Sequence, residues 1–272
     1  MSKQFKFGIV TDNAPLSALS KEWEYFEVPA AIHGNSLFSD AEWHEFRDMY
    51  KKDGRPTPMT SHFFGPGKTG SGASGVYYDR DLIEFAASRT VKRMAELGVK
   101  AMGCYGGHFK LQEGFSRTKA IDQAISTVNI IADHCEAYGM DLALEPMADL
   151  TTLWPRYLEG IEFAKLTGRK CVKVMADLNY FLKLDQPLED ILKYPEYCLN
   201  VHIAGEKGQP NVGLRKDIFV HLFKVLKEAG YEKGVSAASP WVPTNGAKEI
   251  DWKYETDKTI KFLQEMRADT YK

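Results

Sequence analysis

Three apolar runs in the second half of this 272-residue chain each end in a side chain that can bind a metal or move a proton. They read Leu142-Ala-Leu-Glu145-Pro146, Val174-Met-Ala-Asp177-Leu-Asn179 and Asn200-Val-His202-Ile-Ala-Gly-Glu206-Lys207. A carboxylate left unpaired at the end of a buried run is costly, so a positive charge should sit between Glu145 and Asp177. Two carboxylates and an imidazole suit Mn2+, Co2+, Fe2+ or Zn2+ better than Ca2+. Mn2+ is the expected ion, with Co2+, Mg2+, Fe2+ and Zn2+ as alternatives. The blander reading pairs Glu145 and Asp177 with Lys or Arg from other loops and leaves His202 hydrogen-bonded in the core. Three such residues in phase favour the metal.

Such residues act together only if the chain brings the three run ends to one place. Eight short apolar runs read as strands covered on both faces: Phe5–Val10, Tyr25–Val28, Pro58–Phe63, Val99–Cys104, Asp141–Leu144, Cys171–Ala176, Cys198–Ile203 and Gly234–Ala237. Amphipathic segments alternate with them. Ser39-Asp-Ala-Glu42 is a capping box opening a helix toward Gly54, and further helices start near Asp79 and after Ser116. Others are expected over 152–167, 186–195, 217–229 and 252–268. No polar linker divides the chain, so residues 1–272 are expected to form one domain. Eight βα units predict a closed (β/α)8 barrel, an α/β fold. An open dinucleotide-binding sheet would show G-x-G-x-x-G after its first strand, where this chain has Thr11-Asp-Asn-Ala-Pro15. In a barrel, chemistry gathers at the C-terminal ends of the strands, so Glu145, Asp177 and His202 are expected to share one mouth.

Composition narrows the function classes. Lys and Arg total 35 against 37 Asp and Glu, a net charge of -2, so no overall charge excess draws the chain to nucleic acid or anionic membrane. Cys104, Cys135, Cys171 and Cys198 are widely spaced, as expected for reduced, buried thiols. No signal peptide or membrane-spanning run is visible, and the expected location is the cytoplasm.

The Glu-Pro after strand five, Met-Ala-Asp-Leu-Asn after strand six and Val-His-Ile-Ala-Gly in strand seven resemble the xylose isomerase-like TIM-barrel superfamily. Within it the chain is similar to the sugar isomerase/epimerase group that holds tagatose and psicose 3-epimerases, hydroxypyruvate isomerase and inosose dehydratase. The likeness extends to Tyr105-Gly-Gly107, Lys119-Ala120 and Gly230-Tyr231. It implies that Glu145, Asp177 and His202 are metal ligands, with Glu145 also a base. It implies as well a second glutamate near the end of strand eight, acting as ligand and acid/base. Here Ala238 stands at that place, in Gly234-Val-Ser-Ala-Ala238, with the nearest carboxylates at Glu249 and Asp251. The arginine that often follows the strand-seven histidine is also absent, leaving Lys207 and, further on, Arg215. Barrels of this group often assemble, so a homo-oligomer is a further expectation.

Other strand-end residues complete the expected site. His62 and His108 follow strands three and four, and Trp241 follows strand eight. His62, Trp241 and Glu206 are expected to contact substrate, Trp241 by stacking on a sugar face. His108 and Lys207 are candidate acids beside Glu145. His33 is a weaker candidate, and His44, His134 and His221 lie inside helical patterns. Gly65-Pro-Gly-Lys68 lacks the glycine spacing of a nucleotide-binding P-loop, so Gly65–Gly75 reads instead as a lid, its far end anchored by Tyr77 and Tyr78 or those tyrosines touching substrate. The expected activity is metal-dependent isomerisation or epimerisation of a ketose or related polyhydroxy-carbonyl compound through an enediolate. Two alternatives stay open. One is a lyase on the same barrel, a dehydratase or an enzyme cleaving C-glycosides or 3-keto-glycosides by elimination. The other is a non-catalytic carbohydrate-binding or partner subunit. An abasic-site nuclease would need more His and acidic ligands than these strand ends supply.

Overall fold

The computed structural model describes residues 4–12, 14–64, 73–213, 216–238 and 240–271. Eight described strands close into a barrel in sequence order: β1 Lys6–Val10, β2 Tyr25–Pro29, β3 Met59–Ser61, β4 Ala101–Tyr105, β5 Asp141–Glu145, β6 Val172–Asp177, β7 Cys198–Ile203 and β8 Gly234–Ala237. All neighbours are parallel, and β8 closes on β1 through Lys6↔Gly234 to Ile9↔Ala237. The expected strands are therefore all present, with β3 trimmed to three residues.

The helices start where the sequence supplies caps. Ser39 accepts from the Glu42 amide, and the Glu42 side chain returns to the Ser39 amide, opening Asp40–Asp53. Asp79 caps Arg80–Glu96, Ser116 caps Arg117–Ala137, and Asp251 caps Trp252–Thr270. Gly98 and Gly139 end two of these layers with φ of 84° and 63°, the left-handed turn that a β-carbon would oppose. Two expectations change. The helix expected over 152–167 begins only at Tyr157, and that expected over 186–195 shrinks to Asp190–Lys193. A short helix at Leu178–Lys183 was not expected, because six residues are too few to show a 3.6-residue period.

One large apolar cluster fills the space between barrel and helices. A second lies inside the barrel: Tyr25, Met59, Ala101, Ala143, Met175 and Leu199 form its floor. Side chains along a strand alternate between faces. The residues two further along β2, β5 and β6, which are Glu27, Glu145 and Asp177, therefore point inward directly above that floor. Cys104, Cys135, Cys171 and Cys198 are all buried and unpaired. No helix among the described residues is long and apolar enough to cross a membrane.

Candidate active site

Glu145, Asp177 and His202 meet at the C-terminal end of the barrel, each offering a ligand atom within 4.8 Å of the others. His202 Nδ1 lies 3.6 Å from Glu145 Oε1 and 3.9 Å from Asp177 Oδ2. Two local features set this up. The β6–β7 register slips by one residue between Val174 and Met175, so that Asp177 pairs with His202. Without the slip Asp177 would face Val201, and the imidazole would point to the helices. Asp177 also caps Leu178–Lys183, its Oδ1 accepting from the Asn179 and Tyr180 amides at 2.8 and 3.2 Å. That leaves Oδ2 for the site.

Sequence reasoning missed Glu27. It sits in the middle of β2, fully buried, with Oε1 2.7 Å from His202 Nε2, and its Oε2 accepts from Asn200 Nδ2 at 2.9 Å. The available signal was a lone carboxylate in the apolar run Tyr25-Phe-Glu-Val-Pro29. A carboxylate on one imidazole nitrogen fixes the tautomer and ring orientation, and leaves the other nitrogen free as a ligand.

The electrostatics match a cation. Burial and the charge of Glu145 push the Asp177 carboxyl up to about 7. Burial opposes charge on His202, yet Glu27 and Glu145 overcome it and hold the imidazole well above its usual value. Burial likewise works against the Glu27 charge, and His202 outweighs it, holding Glu27 below the ordinary range. Two buried carboxylates, Glu27 and Glu145, and the half-buried Asp177 thus share one imidazole. Among the described residues no Lys or Arg forms an ion pair with Glu145 or Asp177, against the blander expectation. Glu145 Oε2 is buried with no hydrogen-bond partner, an open acceptor of the kind a metal fills. Ligand bonds of about 2.0–2.3 Å place donors up to roughly 4.6 Å apart across an ion, so small side-chain movements suffice. The donor set fits a divalent metal.

The neighbouring candidates divide. His62 leaves β3 with φ of 50°, a strained value for a residue with a β-carbon, and its ring meets Tyr105 edge-on at 5.2 Å. His108 also meets the Tyr105 ring edge-on, 5.7 Å between rings, and burial pushes it down to about 4, leaving it uncharged near neutral pH. Gly106 allows the loop to press on the site wall: a β-carbon there would come within 2.5 Å of the Glu145 carbonyl. Asp12, which follows β1 and was not singled out, feels the charges of His62, Glu27 and His202, and burial raises its carboxyl above the ordinary range. Glu206 and Lys207 are exposed in the turn after β7, outside the buried cluster. Trp241 is half-buried and sits 5.9 Å from the Trp252 ring.

Ala238 continues the ladder, its amide donating to Ile203 O at 3.0 Å. It lies two residues beyond Ser236, which is in register with His202, so it faces the same mouth with only a methyl group. Asp251 is occupied as a helix cap. Of the Gly65–Gly75 lid, residues 65–72 and, further on, Arg215 lie outside the described residues. The end of that segment is tied to Arg117–Ala137: Thr127 Oγ1 donates to Ala73 O, and Tyr78 Oη to Ser126 Oγ at 2.8 Å, while Tyr77 is exposed. His33 belongs to the scaffold, bonded through Nδ1 to Tyr50 Oη at 2.7 Å and stacked on Phe46. His134 and His221 pair with Glu84 and Glu189 on the helices.

The model for xylose isomerase-like TIM barrels matches residues 22–266. The chain belongs to this family. Solved structures of similar shape include a D-psicose 3-epimerase from Clostridium cellulolyticum H10, at 20% identity and a TM-score of 0.77 over 97% of this chain and 99% of that one. A 3-keto-D-glucoside 4-epimerase from E. coli aligns at 16% identity and 0.71, over 97% and 100%. An AP endonuclease of family 2 from Brucella melitensis aligns at 16% and 0.72, over 97% and 98%. At such identities the likeness shows the fold alone. None of the curated proteins matches the sequence.

Proposed function

We propose that this family member is a divalent-metal-dependent isomerase or epimerase of a ketose or related polyhydroxy-carbonyl compound. The observation that carries the reading is the cluster of Glu145, Asp177 and His202, with His202 held from behind by Glu27 and Glu145 Oε2 left open. Sugar epimerases among the structures of similar shape support it.

Glu145, Asp177 and His202 would hold the ion, Mn2+ first among the candidates. A bound divalent ion supplies electrophilic stabilisation of the enediolate oxygens. The chain's own groups do the rest. Glu145 accepts the proton from the carbon beside the carbonyl and delivers it to the former carbonyl carbon, which isomerises the sugar; epimerisation instead takes its new proton on the opposite face of the enediolate. Glu27 keeps His202 Nδ1 facing the site, and the Asn179 and Tyr180 amides keep Asp177 from turning away. Ala238 removes the second carboxylate the family pattern supplies, and this favours the lyase as the second reading, since elimination needs one base.

The test is incubation of Mn2+-loaded protein with ketoses, inosose and 3-keto-glycosides in D2O. Deuterium entering an isomeric product supports the proposal. Loss of water or an aglycone supports the lyase. Neither outcome, with no chelator-sensitive turnover, supports a binding subunit.

A further inference from the structure

The phenol of Tyr25 crosses the barrel interior from β2 to β8, where its Oη meets Ser236 Oγ at 2.6 Å. Two glycines clear that path. A β-carbon at Gly8 of β1 would come within 2.1 Å of the Tyr25 ring, and one at Gly234 of β8 within 2.3 Å of its Oη. Ser236 is in register with His202 and hydrogen-bonds to the Glu27 carboxylate. We propose that Tyr25 and Ser236 are positioning residues for the metal cluster: a buried hydrogen-bonded relay that orients Glu27 and, through it, His202. The inference rests on the metal-dependent reading given above, and it concerns two residues outside the ligand set.

Counting protons gives the relay its direction. An ionised carboxylate can only accept, so Ser236 donates to Glu27 and its single proton is used. Tyr25 must then donate to Ser236 Oγ. Asn200 is fixed by the same logic: its Oδ1 accepts from the Val201 amide at 2.9 Å, and its Nδ2 is left to donate to Glu27 Oε2. With His202 Nε2 on Oε1, Glu27 thus has three donors from β7 and β8. Tyr25, Glu27, Asn200, His202 and Ser236 are each no more than 2% exposed, so bulk water cannot replace a lost donor. Removing one leaves a buried polar group unpaired and frees the carboxylate to turn, which moves the imidazole with it. A phenylalanine at position 25 would fill the barrel floor as well as tyrosine does. The hydroxyl is there for Ser236.

The test is calorimetric titration of Mn2+ into chelator-treated wild type, Ser236→Ala, Tyr25→Phe and Glu27→Gln, and into Ser236→Ala combined with each of the other two. Visible spectra of the Co2+-loaded proteins accompany it. Direct outer partners of a metal-bound histidine are worth about 10–100-fold in affinity, and Ser236 and Tyr25 act one and two bonds further out, so each should weaken Mn2+ by about three- to tenfold. The Co2+ bands should shift in both. Because the residues act in series, Tyr25→Phe should cost less than about twofold on top of Ser236→Ala, and Ser236→Ala less than about twofold on top of Glu27→Gln. A purely structural role would lower the thermal midpoint and leave the Mn2+ affinity and the Co2+ spectrum as in wild type. That result in Ser236→Ala, or losses that multiply in both combinations, would overturn the relay. Should Ser236→Ala not fold, Tyr25→Phe, which keeps the ring, decides by the same two readouts. Mn2+ binding that depends on Ser236, with no turnover of any ketose, keeps the relay and removes the isomerase. Turnover with Ser236-independent binding does the reverse, and a wild type without a saturable Mn2+ site removes both.

Discussion

Glu27 holds His202 by its Nε2 at 2.7 Å, so the imidazole presents Nδ1 to Glu145 and Asp177. The pair is nearly inaccessible, with side chains 0% and 3% exposed. This contact turns a strand-end histidine into an oriented donor.

Glu27→Gln keeps the shape and removes the charge that fixes the tautomer. Outer partners of metal-bound histidines are worth about 10–100-fold in affinity. Mn2+ affinity should fall within that range while circular dichroism stays that of the wild type. An unchanged affinity would mean that His202 needs no orienting partner.

Ala238→Glu places a carboxylate on the inward face of β8, two residues beyond the partner of His202. Mn2+ binding should tighten tenfold or more, since one further anionic ligand completes a four-ligand set. Equal affinities for parent and variant would show that residue 238 does not reach the ion.

His33 gives the fold a pH dependence of known sign. Burial lowers its pKa to about 4, against 6.5 for an ordinary histidine. The folded state keeps it neutral against Tyr50 and Phe46, while the unfolded chain protonates it below about 6.5. Its contribution to stability is therefore full above 6.5 and is lost as pH falls toward 4. Between pH 7 and 5 the loss should be about 2 kcal/mol. Urea unfolding at both values should show it, and His33→Leu should flatten that part of the profile. Parallel profiles for the two proteins would contradict the assignment.

The barrel was legible because its signals are local. Eight apolar runs, the caps at Ser39, Asp79 and Ser116, and the strand-end Glu145, Asp177 and His202 can all be seen within a dozen residues. What the sequence hid depends on contacts across the barrel. Glu27 and His202 are 175 residues apart, and a carboxylate in β2 says nothing by itself about a histidine in β7. The register slip at Met175 is likewise invisible in Cys198-Leu-Asn-Val-His-Ile203, although it decides which way His202 points. The role of Gly106, the close approach of its loop to the Glu145 carbonyl, depends on such a contact as well.

The central claim is that Glu145, Asp177 and His202 together hold one divalent ion. Calorimetric titration of Mn2+ into chelator-treated wild type and Asp177→Asn tests it most directly. The account predicts one saturable site per chain in the wild type. In Asp177→Asn, which keeps the side chain's shape and loses its charge, affinity should fall at least tenfold with the fold intact. No saturable site in the wild type, or the same affinity in both proteins, would contradict it.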